Sequence, residues 1–232
     1  MAEELGRGIQ GLGQRKPNQM SGATFESLWL ARAAILAIII LQVFLSSRLT
    51  IGGKGFAPAL EFVFLIVLFF MSHERRLHSH RTTRITAIIL IGVINASNLV
   101  SLVLLVQSML HGSKASGTTL LLDALNIWFT NMIIFALWYW EFDQGGPHER
   151  GLPGCDLPDF VFTQMTSPEF ARSGWQPGFM DYLFLSFTNA TAFSPTDTLP
   201  LSSWAKGLMM VQSSISLLTV ALVASRAVNI LN

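Results

Sequence analysis

Apolar residues in this chain come in long, nearly unbroken runs separated by short polar clusters. The runs cover about 27 to 47, 57 to 72, 85 to 110, 118 to 140 and 203 to 230. Each is expected to be a helix, because a backbone surrounded by lipid satisfies its hydrogen bonds only within a helix or a closed barrel. About 20 helical residues cross the ~30 Å hydrocarbon core of a bilayer, so five transmembrane helices are predicted. The second run is the shortest and carries Pro58 near its start, where a missing amide donor does no harm. Gly52-Gly53-Lys54-Gly55 and His111-Gly112-Ser113-Lys114 leave room only for tight helical hairpins. Trp138-Tyr139-Trp140 closes the fourth run in the manner of an interfacial aromatic girdle.

The pattern breaks between 141 and 177, where five prolines and scattered charges replace the apolar run. This stretch is predicted to be a solvent-facing loop. Residues 178 to 191 turn apolar again but are too few to cross, so they are read as a re-entrant half-helix. Asp181 falls in its first turn, a favourable place for an anion against the helix dipole. The chain therefore divides into a flexible polar tail over 1–26, a three-helix membrane region over 27–117, and a module over 118–232 made of an outer helix, a loop, the half-helix and a last helix.

Composition narrows the class further. Only 12% of the 232 residues are charged and 51% are hydrophobic, which places the chain among membrane proteins. Asp123 is the one charged residue within 85–110 and 120–140 together. The tail has no apolar core beside Met1 and does not read as a signal peptide. A lone Cys155 excludes an internal disulfide, and a net charge of +1 with no basic stripe excludes nucleic acid as a partner. Arg75, Arg76, Arg81 and Arg84 crowd the stretch after the second run, and Arg7, Arg15 and Lys16 precede the first. The positive-inside rule puts both on the cytoplasmic side. Two further crossings bring the 141–177 loop back to that side.

Polar residues inside the apolar runs are the first candidates for function. Asp123, Asn126 and Thr130 share one helical face by spacing, facing Asn95 and Asn98 of the preceding run, which suits an interhelical hydrogen-bond network. An intramembrane carboxylate is a functional candidate by default, although Asp123 stands only about one turn from its helix start, where hydration and structural bonding serve equally well. In the last run Gln212, Ser213, Ser216 and Thr219 form a polar stripe, suited to helix packing or to lining a pore. His73 and His78 are five apart, whereas a zinc-protease helix needs four. No nucleophile, base, phosphate loop, metal-ligand set or cofactor motif occurs at recognisable spacing, so neither an enzyme nor a cofactor is expected.

Residues 186 to 206, SFTNATAFSPTDTLPLSSWAK, align without gaps to the pore-loop pattern T-x-T-T-V-G-Y-G-D of the potassium-channel superfamily. Asn189 and Thr191 fall at the pore-helix end, and Asp197, Pro200, Trp204 and Lys206 fall in register. The chain thus resembles the tetrameric pore-loop proteins, which implies a filter-like loop before the last helix and a homo-oligomer, above all a tetramer, passing ions. Ala192 follows Thr191, and Phe193-Ser194-Pro195-Thr196 stands where Val-Gly-Tyr-Gly is usual. Ser194 precedes a proline and is driven to extended angles, Pro195 has a fixed φ and no amide donor, and Thr196 resists positive φ. A ladder of inward carbonyls is therefore not expected, and hydroxyls of Thr191, Ser194 and Thr196 are left to meet a permeant species. Asp197 has two readings, a ring of charge at the mouth or a local cap on turn amides. Potassium channels hold this loop on the outer face and ionotropic glutamate receptors hold it inverted; the arginine cluster favours the inverted form. The blocks Leu137–Pro147 (LWYWEFDQGGP) and Ser186–Thr198 also resemble a widespread bacterial family of multi-pass inner-membrane proteins, which implies the architecture and that location but no activity. The alternative to a pore is a non-conducting scaffold that keeps the pore-loop fold.

Overall fold

The computed structural model describes residues 22–45, 49, 59, 62–63, 66, 80–111, 115–150, 156–191 and 198–231. Among these residues five helices dominate: α1 (Gly22–Phe44), α2 (His80–Leu110), α3 (Gly117–Phe142), α4 (Phe179–Ala190) and α5 (Ser203–Leu231). The chain is thus mostly helical, and α2, α3 and α5 contain stretches long and apolar enough to cross a membrane, at Arg81–Leu110, Gly117–Gly145 and Ser203–Ser225. The apolar part of α1, Leu28–Phe44, is shorter. The second predicted run lies outside the described residues except at 59, 62, 63 and 66.

Helix ends follow local chemistry. Ser116 caps α3 by accepting the Thr119 amide at 3.2 Å, satisfying one of the orphan donors of the first turn. At the other end Gln144, Gly145 and Gly146 take φ of 54°, 77° and 96°, so the chain leaves the helix through three left-handed residues, two of them the residue type that pays least for it. A side chain at Gly146 would also put a Cβ 3.0 Å from the Glu141 carbonyl.

The centre of the fold is α3, which packs against α1, α2, α4 and α5. Ile134, Phe135, Ala136 and Leu137 are buried in succession, as a helix surrounded on all sides requires. Burial on α5 is one-sided and inverted relative to a water-soluble helix. Ala205, Met209, Gln212, Ser216 and Thr219 are buried at steps of four and three, while Met210, Val211, Leu217, Leu218 and Val220 are exposed. Polar residues inside and aliphatic residues outside suit a helix facing lipid, where small and polar side chains make the helix contacts.

The segment after α3 is not the wholly solvent-facing loop that its prolines suggest. Phe160–Phe162 forms strand β1, which pairs antiparallel with β2 (Thr198–Pro200), placing Phe160 opposite Pro200, Val161 opposite Leu199 and Phe162 opposite Thr198. Phe160 and Phe162 turn inward and are buried, their rings 5.1 Å from Tyr139 and 5.2 Å from Tyr182 between centroids. Burying each ring stabilises by roughly 1.5–3 kcal/mol, which is what holds a proline-rich segment against the helices. Arg84 Nε lies 3.8 Å from Glu141 Oε1, so the start of α2 and the end of α3 lie side by side.

Candidate functional site

The short helix α4 is fastened along its length. Its start is capped by Asp181, whose carboxylate accepts the Gly178 amide at 2.7 Å. Burial holds the Asp181 carboxyl above the ordinary carboxylate range, against the opposing pull of that amide and of the Arg150 charge. Phe179 meets Trp140 of α3 edge-on at 5.9 Å. One helical face, Phe179, Tyr182, Leu185, Ser186 and Asn189, is buried, and Met180, Phe184 and Phe187 face outward.

Five polar side chains lock the inner half of α4 to both neighbours. Ser186 Oγ donates to the Met132 carbonyl of α3 at 2.6 Å. Gln212 Nε2 of α5 donates to Ser186 O at 2.9 Å and Ser186 Oγ at 2.6 Å. Its Oε1 accepts the Tyr139 hydroxyl and the Asn189 amide, the latter at 2.7 Å. Asn189 also donates to Met209 O at 3.0 Å and accepts Ser213 Oγ at 3.0 Å. Every hydrogen-bonding position of the buried Gln212 amide is used, the condition under which a buried polar network rigidifies rather than destabilises.

The course of the chain follows from these contacts. Phe179 lies beside Trp140 and Ser186 against Met132, eight residues, or about 12 Å, further down α3. By Thr198 the chain is back opposite Phe162, and Trp204 at the start of α5 meets Phe142 at 5.3 Å. Phe179 and Trp204, on either side of residues 192–197, thus both lie at the C-terminal end of α3.

A buried charged cluster sits at that end. Asp143, fully buried, accepts the Tyr182 hydroxyl on Oδ2 and the Asp159 amide on Oδ1 at 2.7 Å. Burial pushes the Tyr182 phenol well above its usual range and raises the Asp143 carboxyl too, against the opposing pull of the Tyr182 hydroxyl and the Arg150 charge. Arg150, also buried, donates to the carbonyls of Trp140 at 2.6 Å, Asp143 at 3.2 Å and Pro177 at 3.2 Å, and its guanidinium lies 4.8 Å from the centre of the Tyr182 ring. A cation on the last carbonyls of α3 complements the helix dipole. Sequence reasoning missed Asp143, Arg150 and Tyr182 as a unit; the only signal was that Asp143 lies within the Leu137–Pro147 block and Arg150 just beyond it, and nothing pointed to Tyr182.

The expected site residues divide. Ala192, Phe193, Ser194, Pro195, Thr196 and Asp197 lie outside the described residues. Thr191 ends α4 and turns its hydroxyl onto the Phe187 and Thr188 carbonyls at 2.9 and 3.2 Å. Of the two roles open to the α5 stripe, burial matches packing: Gln212, Ser216 and Thr219 are buried within the chain, Ser216 accepting Asn131 at 3.1 Å and Thr219 bonding its own Ile215 carbonyl at 2.7 Å. Ser213, half-buried, bonds Asn189.

The network expected between the two central runs takes another form. Asn98 reaches the Ile127 carbonyl at 3.4 Å, whereas Asn126 reaches the Leu41 carbonyl of α1 at 2.6 Å and accepts Thr130 at 3.4 Å. Asn95 is half-buried and takes no part in these bonds. Asn98 thus ties α2 to a backbone carbonyl of α3, while Asn126 is turned towards α1. Asp123 is buried. Among the described residues no three His, Cys, Asp or Glu side chains are grouped to hold a metal.

No protein-family model matches this chain, and no curated protein or solved structure matches it significantly.

Proposed function

We propose that the chain is a multi-pass protein of the bacterial inner membrane, with five crossings and a re-entrant α4, that assembles as a homotetramer around a pore. The pore passes ions or small solutes with little or no potassium selectivity. One observation carries this reading: the chain enters beside Trp140, reaches the level of Met132, and is beside Phe162 again by Thr198. A twelve-residue helix that goes in and returns at one end of a long apolar helix has the course of a pore loop. The inverted burial of α5 supports a lipid-facing outer surface. Phe193-Ser194-Pro195-Thr196 argues against a carbonyl ladder, as its φ preferences oppose one.

A second reading, a non-conducting scaffold, is favoured by the spending of Gln212, Ser216 and Thr219 inside the chain. Purified protein in planar bilayers separates the two. Cation currents with a potassium-to-sodium preference below about ten-fold (1.4 kcal/mol) are expected, and Asp197→Asn should lower them most at low salt, where a ring of charge is least screened. A preference well above ten-fold would overturn the argument from the filter residues, and a cross-linked tetramer that carries no current would establish the scaffold.

A further inference from the structure

The two described residues that bound the filter-like segment, Thr191 and Thr198, belong to different elements, yet both elements are tied to one carboxylate. Asp143 Oδ2 accepts the hydroxyl of Tyr182, in the second turn of α4, which runs on as a continuous helix to Ala190. Asp143 Oδ1 accepts the amide of Asp159, and the Asp159 carbonyl accepts the amide of Leu201 at 2.8 Å, at the foot of β2. Between those two bonds β1 and β2 pair from Phe160 with Pro200 to Phe162 with Thr198. Asp143 is 0% exposed, so neither oxygen can exchange a lost protein donor for bulk water.

We propose that Asp143 is a joint that couples strand β1 and the residues leading into it to both flanks of the 192–197 segment, so that loosening one flank loosens the other. The physical reason is that both oxygens sit on one rigid group. A carboxylate that loses a donor in a buried site is left under-satisfied at considerable cost, and it recovers by rotating towards another donor. Rotation moves both oxygens together and withdraws the acceptor from Asp159. Arg150 confines this motion to the side chain, because its bonds to the Trp140, Asp143 and Pro177 carbonyls hold the backbone on either side. The inference stands on these bonds and needs no conduction.

Hydrogen–deuterium exchange on the full-length protein in lipid nanodiscs tests it, with peptides covering 156–166, 179–184 and 198–204. Tyr182→Phe removes one hydroxyl and keeps the ring against Phe162 and beneath Arg150. It is expected to speed exchange about ten-fold, the effect of one charge-assisted hydrogen bond, in α4 and in both strand peptides together. Ser186→Ala breaks the opposite attachment of α4, far from Asp143, and should leave the strand peptides at the wild-type rate. Acceleration by Tyr182→Phe in α4 alone, or nowhere, would overturn the joint. So would equal acceleration of the strands by Ser186→Ala, which would mean a general loosening of the fold. Asp143→Asn should reproduce Tyr182→Phe; the decision rests on the first two variants even if this one fails to fold.

Discussion

Gln212 and Thr219 belong to the same stripe of α5 and are equally buried, yet they do different work. Gln212 joins α5 to Ser186 and Asn189 of α4 and to Tyr139 of α3, whereas Thr219 bonds only a carbonyl of its own helix. Replacing Gln212 by Leu strands donors and acceptors on two other helices. Interhelical hydrogen bonds in membranes average about 0.6 kcal/mol each, so losing this set should cost about 2 kcal/mol. Measured in detergent, the apparent melting midpoint should fall by several degrees, at about 2–4 °C per kcal/mol for a chain of this size. Thr219→Val keeps the shape and loses a bond of little net worth; its midpoint should stay within about 2 °C of wild type, a change of under about 0.5 kcal/mol. Nothing in the sequence separates these two positions, because the difference lies in which neighbour each one meets.

At the scale of elements, α4 shows what local signals can carry. An apolar stretch over 178–191 with an acid in its first turn predicts a short helix with an anion against its dipole, and Phe179–Ala190 is what forms; that Asp181 also caps it through the Gly178 amide is what the structure adds. Removing the cap with Asp181→Ala should destabilise the start of α4 by about 0.5–2 kcal/mol, seen as faster amide exchange over 179–182 with little change beyond Leu185. Asp181→Asn, which keeps an acceptor, should lie closer to wild type. The β1–β2 ribbon was invisible by comparison. Its two halves are three residues long and lie far apart in the chain, and a run as short as Phe-Val-Phe has no period from which to be read. The neighbouring rings of Tyr139, Tyr182 and Trp175 give those phenylalanines something to bury against.

At the scale of the whole molecule, the adjacency of Arg84 and Glu141 places the end of the arginine-rich stretch beside the start of the 141–177 loop. If the positive-inside rule governs, that side is cytoplasmic. Cys155 of this loop should then stay unlabelled by an impermeant thiol reagent in intact spheroplasts and react once the membrane is opened. Labelling in intact cells would put the loop outside. The sequence alone determined the membrane class, the places of α2, α3, α4 and α5, and the half-length of α4, because run length, capping and charge spacing act over one or two helical turns. It also marked Asn126, Gln212 and Ser216 as misfits in apolar runs. Their partners were decided by tertiary structure: Asn126 turned to α1, Gln212 and Ser216 turned inward, and Asp143 and Arg150 drawn from an apparent loop into the interior. The reason is physical. A polar group in an apolar surrounding must find a donor or acceptor, and which one it finds depends on helices that meet across tens of residues of chain, where sequence spacing carries no distance.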